Sequence, residues 1–130
     1  KVVLSNFNVL ARNQIEELAD TIQQVNMTSG MIVIDTLNQA SPGSDENSSQ
    51  DMGIIISHLK MLQELTGSLV LIIHHTGKNT AAGLRGHSSL KAALDTSIEV
   101  IGGDNRSWLL EKNKDGADGQ SFFADRECAA

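Results

Sequence analysis

The side chains in this chain that can do chemistry stand mostly at the ends of apolar runs. Asp35 closes the run Met31-Ile-Val-Ile, and Thr36 follows it. His74 and His75 close a second run, Leu69-Val-Leu-Ile-Ile73, and lead into Thr76-Gly77-Lys78. Arg85 sits in Leu84-Arg-Gly-His-Ser-Ser89, and Lys112 and Lys114 stand two apart near a turn. An unbroken apolar run reads as a strand buried on both faces, as in a parallel sheet. An acid at its carboxyl end lies where open α/β sheets bind ligands. Two such tips, one with Asp35 and one with histidine, are expected to aim at one crevice.

Each residue type suggests a role and has a bland counterpart. Apolar strand plus terminal aspartate suits a Walker B strand, which holds a carboxylate beside a Mg²⁺-bound nucleotide. Thr36 can add a hydroxyl to the metal's water shell. Many strands of this kind instead use the acid to cap a following helix. Adjacent strand residues point to opposite faces, so His74 and His75 cannot easily share a site. One reads as a structural neighbour and the other as a site residue. Arg85 is either a surface loop arginine or an anion-binding group, suited to phosphate by its rigid fork of donors. Lys112 and Lys114 are either solvated or within reach of a neighbouring molecule's phosphates. Asp45 and Glu46 read as a solvated acidic loop, and Cys128 as inert. A metal set of Asp35, Asp51, His58 and His75 lacks any recognisable ligand spacing.

Elements that position these groups follow from periodicity. Asn13 reads as an N-cap with Glu16 at the capping-box position. Ile15, Leu18, Ala19, Ile22 and Val25 then repeat at helical spacing up to about Asn26. After the Asp35 strand, Ser41-Pro-Gly-Ser-Asp-Glu-Asn-Ser-Ser49 is a loop. Ser48 or Ser49 can cap the next helix, with Asp51 near its positive end. Met52, Ile55, Ile56, Leu59 and Leu62 form its stripe, and Gly67 closes it. Strand, helix and strand Leu69–Ile73 make one parallel, right-handed crossover. Thr76 to His87 reads as a flexible active-site loop. A short helix from Ser88 or Ser89 to Ala93 follows. Strands at Thr96–Ile101, Ser107–Lys112 and Ser121–Asp125 are separated by turns at 102–105 and 112–119.

Composition narrows the class. The 130 residues suit one domain at most, and 40% hydrophobic with 20% charged is ordinary globular material. A net charge of −6 argues against a broad basic surface for duplex DNA. Yet Lys78, Arg85, Lys91, Arg106, Lys112 and Lys114 all lie in the second half. A single cysteine permits no intrachain disulfide and fits a reducing, cytoplasmic setting. No run of about 18 apolar residues is present for a membrane span.

In order and spacing, Met31–Leu37, Gly43–Ser48 with Asp51-Met52, Leu71–Lys78, and Leu84–Leu90 with Asp95 resemble the RecA-like ATPases of the RepA type. These are hexameric replicative helicases of plasmids and phages, related to DnaB. The resemblance runs from about Asn13 to Phe123. It implies a mainly parallel sheet flanked by helices, with the antiparallel strands near the C-terminus, and ATP bound between subunits. By it, Asp35 supports Mg²⁺, and His75, rather than His74, senses the γ-phosphate. Arg85 reaches a neighbour's nucleotide as an arginine finger. Lys112 and Lys114 match a basic pair acting across the same interface, although a lysine at the second position loses bidentate geometry. Lys78 is a DNA contact. Partners implied are single-stranded DNA and copies of the same chain in a ring.

No G-x-x-x-x-G-K-[ST] occurs in the 130 residues, so none of them cradles phosphates as a P-loop does. The expectation is therefore an incomplete fold. It is the C-terminal portion of an ATPase domain, inactive alone and exposing apolar surface. Two other readings stay open. One is a metal-dependent hydrolase using Asp35 and His75. The other is a non-catalytic relative that binds DNA or a partner.

Overall fold

The structure is a computed structural model, and it describes residues 7–25, 30–75, 88–102 and 106–123. The chain is α/β. It divides into two compact units, Lys1–Leu90 and Lys91–Ala130.

In the first unit, α1 spans Arg12–Gln24 and buries Ile15 and Ala19, two members of the expected stripe. Its start differs from the expected one. Ala11, not Asn13, is the N-cap, and it makes no side-chain cap. Glu16 pairs instead with Arg12, one helical turn away, at 2.9 Å. Gln14 reaches back to accept from the Asn8 amide at 2.7 Å. The physical reason is tertiary. Val9 is fully buried and its amide donates to the Ala40 carbonyl at 2.7 Å. The chain therefore turns into α1 directly after Val9, before Asn13 can cap it.

Strands β1 (Met31–Asp35) and β2 (Leu69–Ile73) pair in parallel, from Met31 opposite Leu69 to Asp35 opposite Ile73. The crossover between them carries α2 (Leu37–Ala40) and α3 (Ser49–Thr66). The expected crossover is thus parallel, with one short helix that periodicity did not reveal. Ser48 caps α3, its hydroxyl accepting from the Asp51 amide at 3.3 Å. Gly67 ends it at φ +63°, a left-handed conformation that glycine adopts without strain, and its amide donates to Gln63 at 2.8 Å. Met52, Ile55, Leu59 and Leu62 are buried, as their spacing predicts.

The two strands are not buried on both faces. Ile34 lies in the core, with Ile32, Val70 and Ile72 packed against it. On the opposite face Met31, Val33, Leu69, Leu71 and Ile73 are exposed, Leu69 by 60%. An apolar residue at every position hides the period of two that the covering helices impose. Exposed apolar surface of this kind is what the incomplete-fold reading expects.

The short α4 (Ser88–Ala93) contains the boundary between the units, and its Leu90 is buried in the first unit's core. In the second unit, β3 (Thr96–Ile101), β4 (Ser107–Asn113) and β5 (Ser121–Phe123) form an antiparallel sheet in chain order. The register slips between Ser97 and Ile98, which face Lys112 and Leu110, so Glu111 is the extra residue of a bulge. Trp108 meets Phe122 edge to face, with ring centroids 6.3 Å apart. The expected turn at 102–105 falls largely outside the described residues.

Candidate functional site

The C-terminal ends of β1 and β2 carry the candidate groups. Asp35 is the last residue of β1 and is exposed. Thr36 directly follows and is buried. It is the N-cap of α2, its hydroxyl accepting from the Gln39 amide at 3.5 Å. A capping threonine keeps its own O–H free to donate.

Beside this turn lies an open cavity of about 210 Å³, lined by Thr36, Asn38, Gln39, Glu46, His74 and His75. Asn38 donates from Nδ2 to Glu46 at 3.0 Å, tying α2 to the loop before α3. Asp35 is not among the lining residues. Its place at the rim is taken by Thr36.

Both histidines border the cavity, contrary to the expectation that they part to opposite faces. His74 is half-buried and His75 exposed, so exposure still alternates. The ladder, however, ends at Ile73. Beyond it the backbone is free of the pleat that would separate neighbouring side chains.

The four-residue metal set does not form. His58 places Nδ1 2.7 Å from the Val9 carbonyl oxygen. Asp51 accepts from the Asp45 amide at 2.9 Å, which orders the loop before α3. Among the described residues no three His, Cys, Asp or Glu are grouped so as to hold a metal ion. A single accessible carboxylate such as Asp35 suits Mg²⁺ in a different way. That ion keeps several waters and is bound through one or two carboxylates plus substrate phosphates. The donor set at the β1 tip therefore fits a nucleotide-borne Mg²⁺ and does not fit a protein-caged metal.

Lys112 and Lys114 belong to the second unit and have partners within it. Lys112 donates to three backbone carbonyls at the end of α4. Lys114 pairs with Asp95 at 3.2 Å. Lys91 forms an ion pair with Glu111, which also accepts from the Ser97 hydroxyl at 2.9 Å. The hydrogen bond from Lys91 holds the Glu111 carboxyl below its ordinary range; burial opposes it, and the Ser97 hydrogen bond and the Lys91 charge add to it. Arg85 and Lys78 lie outside the described residues.

Sequence reasoning passed over Asn38 and Gln39 and took Glu46 for part of a solvated acidic loop, whereas all three line the cavity. Thr36 followed by a short apolar-flanked turn was the one signal for them, since threonine is a preferred N-cap. Glu46 carried no signal beyond its charge.

Residues 4–81, more than half of the chain, match the family of the AAA domain, and the chain belongs to that family of ATPase-type domains. No curated protein matches it. Among the described residues no helix is long and apolar enough to cross a membrane.

Proposed function

We propose that this chain is part of a RecA-like, RepA-type motor that couples ATP hydrolysis to movement along single-stranded DNA, working as a ring. The observation that carries this reading is the position of Asp35. In a chain of the AAA domain family, it stands at the C-terminal tip of β1, level with the tip of β2. This is the edge at which open α/β sheets take ligands.

In this reading Asp35 holds the water shell of Mg²⁺, and His75, two residues beyond the tip of β2, reports on the γ-phosphate. Arg85 of a neighbouring copy supplies positive charge to the transferred phosphoryl group, where such charge is most effective. Lys78 contacts DNA. The 130 residues hold no phosphate-cradling loop, so in this reading hydrolysis needs such a loop from elsewhere and this chain alone should not hydrolyse ATP.

The test is ATP hydrolysis by this chain and by the full-length product, each with and without single-stranded DNA. Hydrolysis by the full-length protein alone, raised by DNA, supports the motor. Hydrolysis by neither leaves a non-catalytic binding module. Hydrolysis by the 130-residue chain itself overturns the assignment of phosphate binding to a loop outside it.

A further inference from the structure

The resemblance sends Lys112 to a neighbour's nucleotide, but its ammonium is engaged inside its own unit. Nζ stands 3.0 Å from the carbonyl oxygen of Lys91, 2.9 Å from that of Ala92 and 2.6 Å from that of Leu94. A lysine ammonium has three protons, and three acceptors use them all. These carbonyls are at the end of α4, where helices leave oxygens without an intrahelical partner.

Neighbouring residues reinforce the grip. Glu111 binds Lys91 and the Ser97 hydroxyl. Lys114 donates its amide to the Asp95 carbonyl at 2.9 Å and its ammonium to the Asp95 carboxylate. Adjacent residues of a regular strand point to opposite faces, so Glu111 and Lys112 could not both reach residues 91–94 from one. The bulge at Glu111 re-aims them, as bulges do. A side chain so arranged is a clasp on α4 and has no proton left for a phosphate.

We propose that Lys112 is a positioning residue. It holds the C-terminal end of α4, and α4 begins at Ser88, three residues after Arg85. Lys112 thus acts on hydrolysis through the helix that follows the arginine stretch in sequence, without touching nucleotide. The inference rests on the reading of Arg85 as an arginine finger.

The experiment uses the full-length protein with Lys112→Met and Lys112→Arg, and with Lys60→Met, at an exposed position of α3, as a charge control. Steady-state ATP hydrolysis and amide hydrogen exchange are measured on each. For Lys112→Met, kcat falls on the order of 10- to 100-fold, the scale of a misplaced catalytic group, while KM for ATP stays unchanged. Exchange speeds up in residues 88–93 and not in α1 or α3. Lys112→Arg restores both, because a guanidinium can donate to the same carbonyls, and Lys60→Met behaves as wild type. A raised KM with α4 protection intact overturns the proposal in favour of direct phosphate contact. Faster exchange throughout α1 and α3 also overturns it, as general destabilisation. Absence of hydrolysis in the wild-type full-length protein removes the motor reading itself, and α4 exchange then decides alone whether Lys112 holds the helix.

Discussion

Asp35 and Ile73 face each other at the last register position of the parallel pair, so the carboxylate and the start of the His74-His75 pair leave the sheet at one level. Asp35 is exposed at the sheet edge and takes no part in the core, which is where the proposed Mg²⁺ role needs it. Asp35→Asn keeps the shape and removes the charge. In the full-length protein it should lower Mg²⁺-dependent ATP hydrolysis by roughly 100-fold or more, the usual scale for losing an electrostatic stabiliser. Stability should stay within about 0.5 kcal/mol, as for other exposed substitutions. Paired ATPase assays and thermal melts check it. Full activity in a folded Asp35→Asn protein would remove this residue from the site.

Glu111 gives a pH dependence with a definite sign. Its carboxyl titrates below the ordinary value of 4.5 because the folded state surrounds the charged form with Lys91 and Ser97. A group whose folded pKa is depressed stabilises the fold above its unfolded pKa, and that contribution fades as pH falls through the folded one. Glu111→Gln should therefore destabilise the second unit at pH 7. The gap from wild type should close as the pH drops below 4.5. Thermal melts of both proteins between pH 7 and pH 3 measure it. A gap that stays constant across this range would show that the Lys91 pair does not survive in solution.

The ends of α3 can be tested separately from its packing. Ser48→Ala removes the hydroxyl that accepts from Asp51, and should cost about 1 kcal/mol. Gly67→Ala places a Cβ in the left-handed region, at φ +63°, and should cost about 1–2 kcal/mol although the space around it is open. Urea denaturation reports both, and the two losses should add because the sites are far apart.

These α3 ends were legible in the chain because local chemistry decides them. A serine before an apolar stripe and a glycine after it are sufficient. The parallel pair was legible for the same reason, as two apolar runs with a helix between them. The start of α1 was not, since burial of Val9 set it and no local signal marks that contact. Nor was the open sheet face. A strand with apolar residues at every position reads the same whether one face is covered or both. At the site, Asp35 stood out as a lone charge after an aliphatic run. Asn38 and Gln39 reach the cavity because α2 follows directly on Thr36, and Glu46, in the loop before α3, is tied to it by the hydrogen bond from Asn38. Lys112 was noticed for its charge, but its carbonyl partners lie about 20 residues earlier and depend on a bulge that periodicity does not reveal.

Leu62 and Leu71 are chemically identical and should respond oppositely to truncation. Leu62 is fully buried under α1 and the sheet's covered face, among Ile15, Ile55 and Leu59. Leu62→Ala removes that packing and leaves a cavity, at a cost of about 2–5 kcal/mol. Leu71 stands on the other face of β2 and is 41% exposed. Leu71→Ala loses little contact and should cost less than about 1 kcal/mol, with less surface left to aggregate. Urea midpoints at unchanged slope would measure both for this chain. If Leu71→Ala proved as damaging as Leu62→Ala, the open face of the sheet would have to be covered in solution. Midpoints that rise with protein concentration would then identify a second copy as the cover.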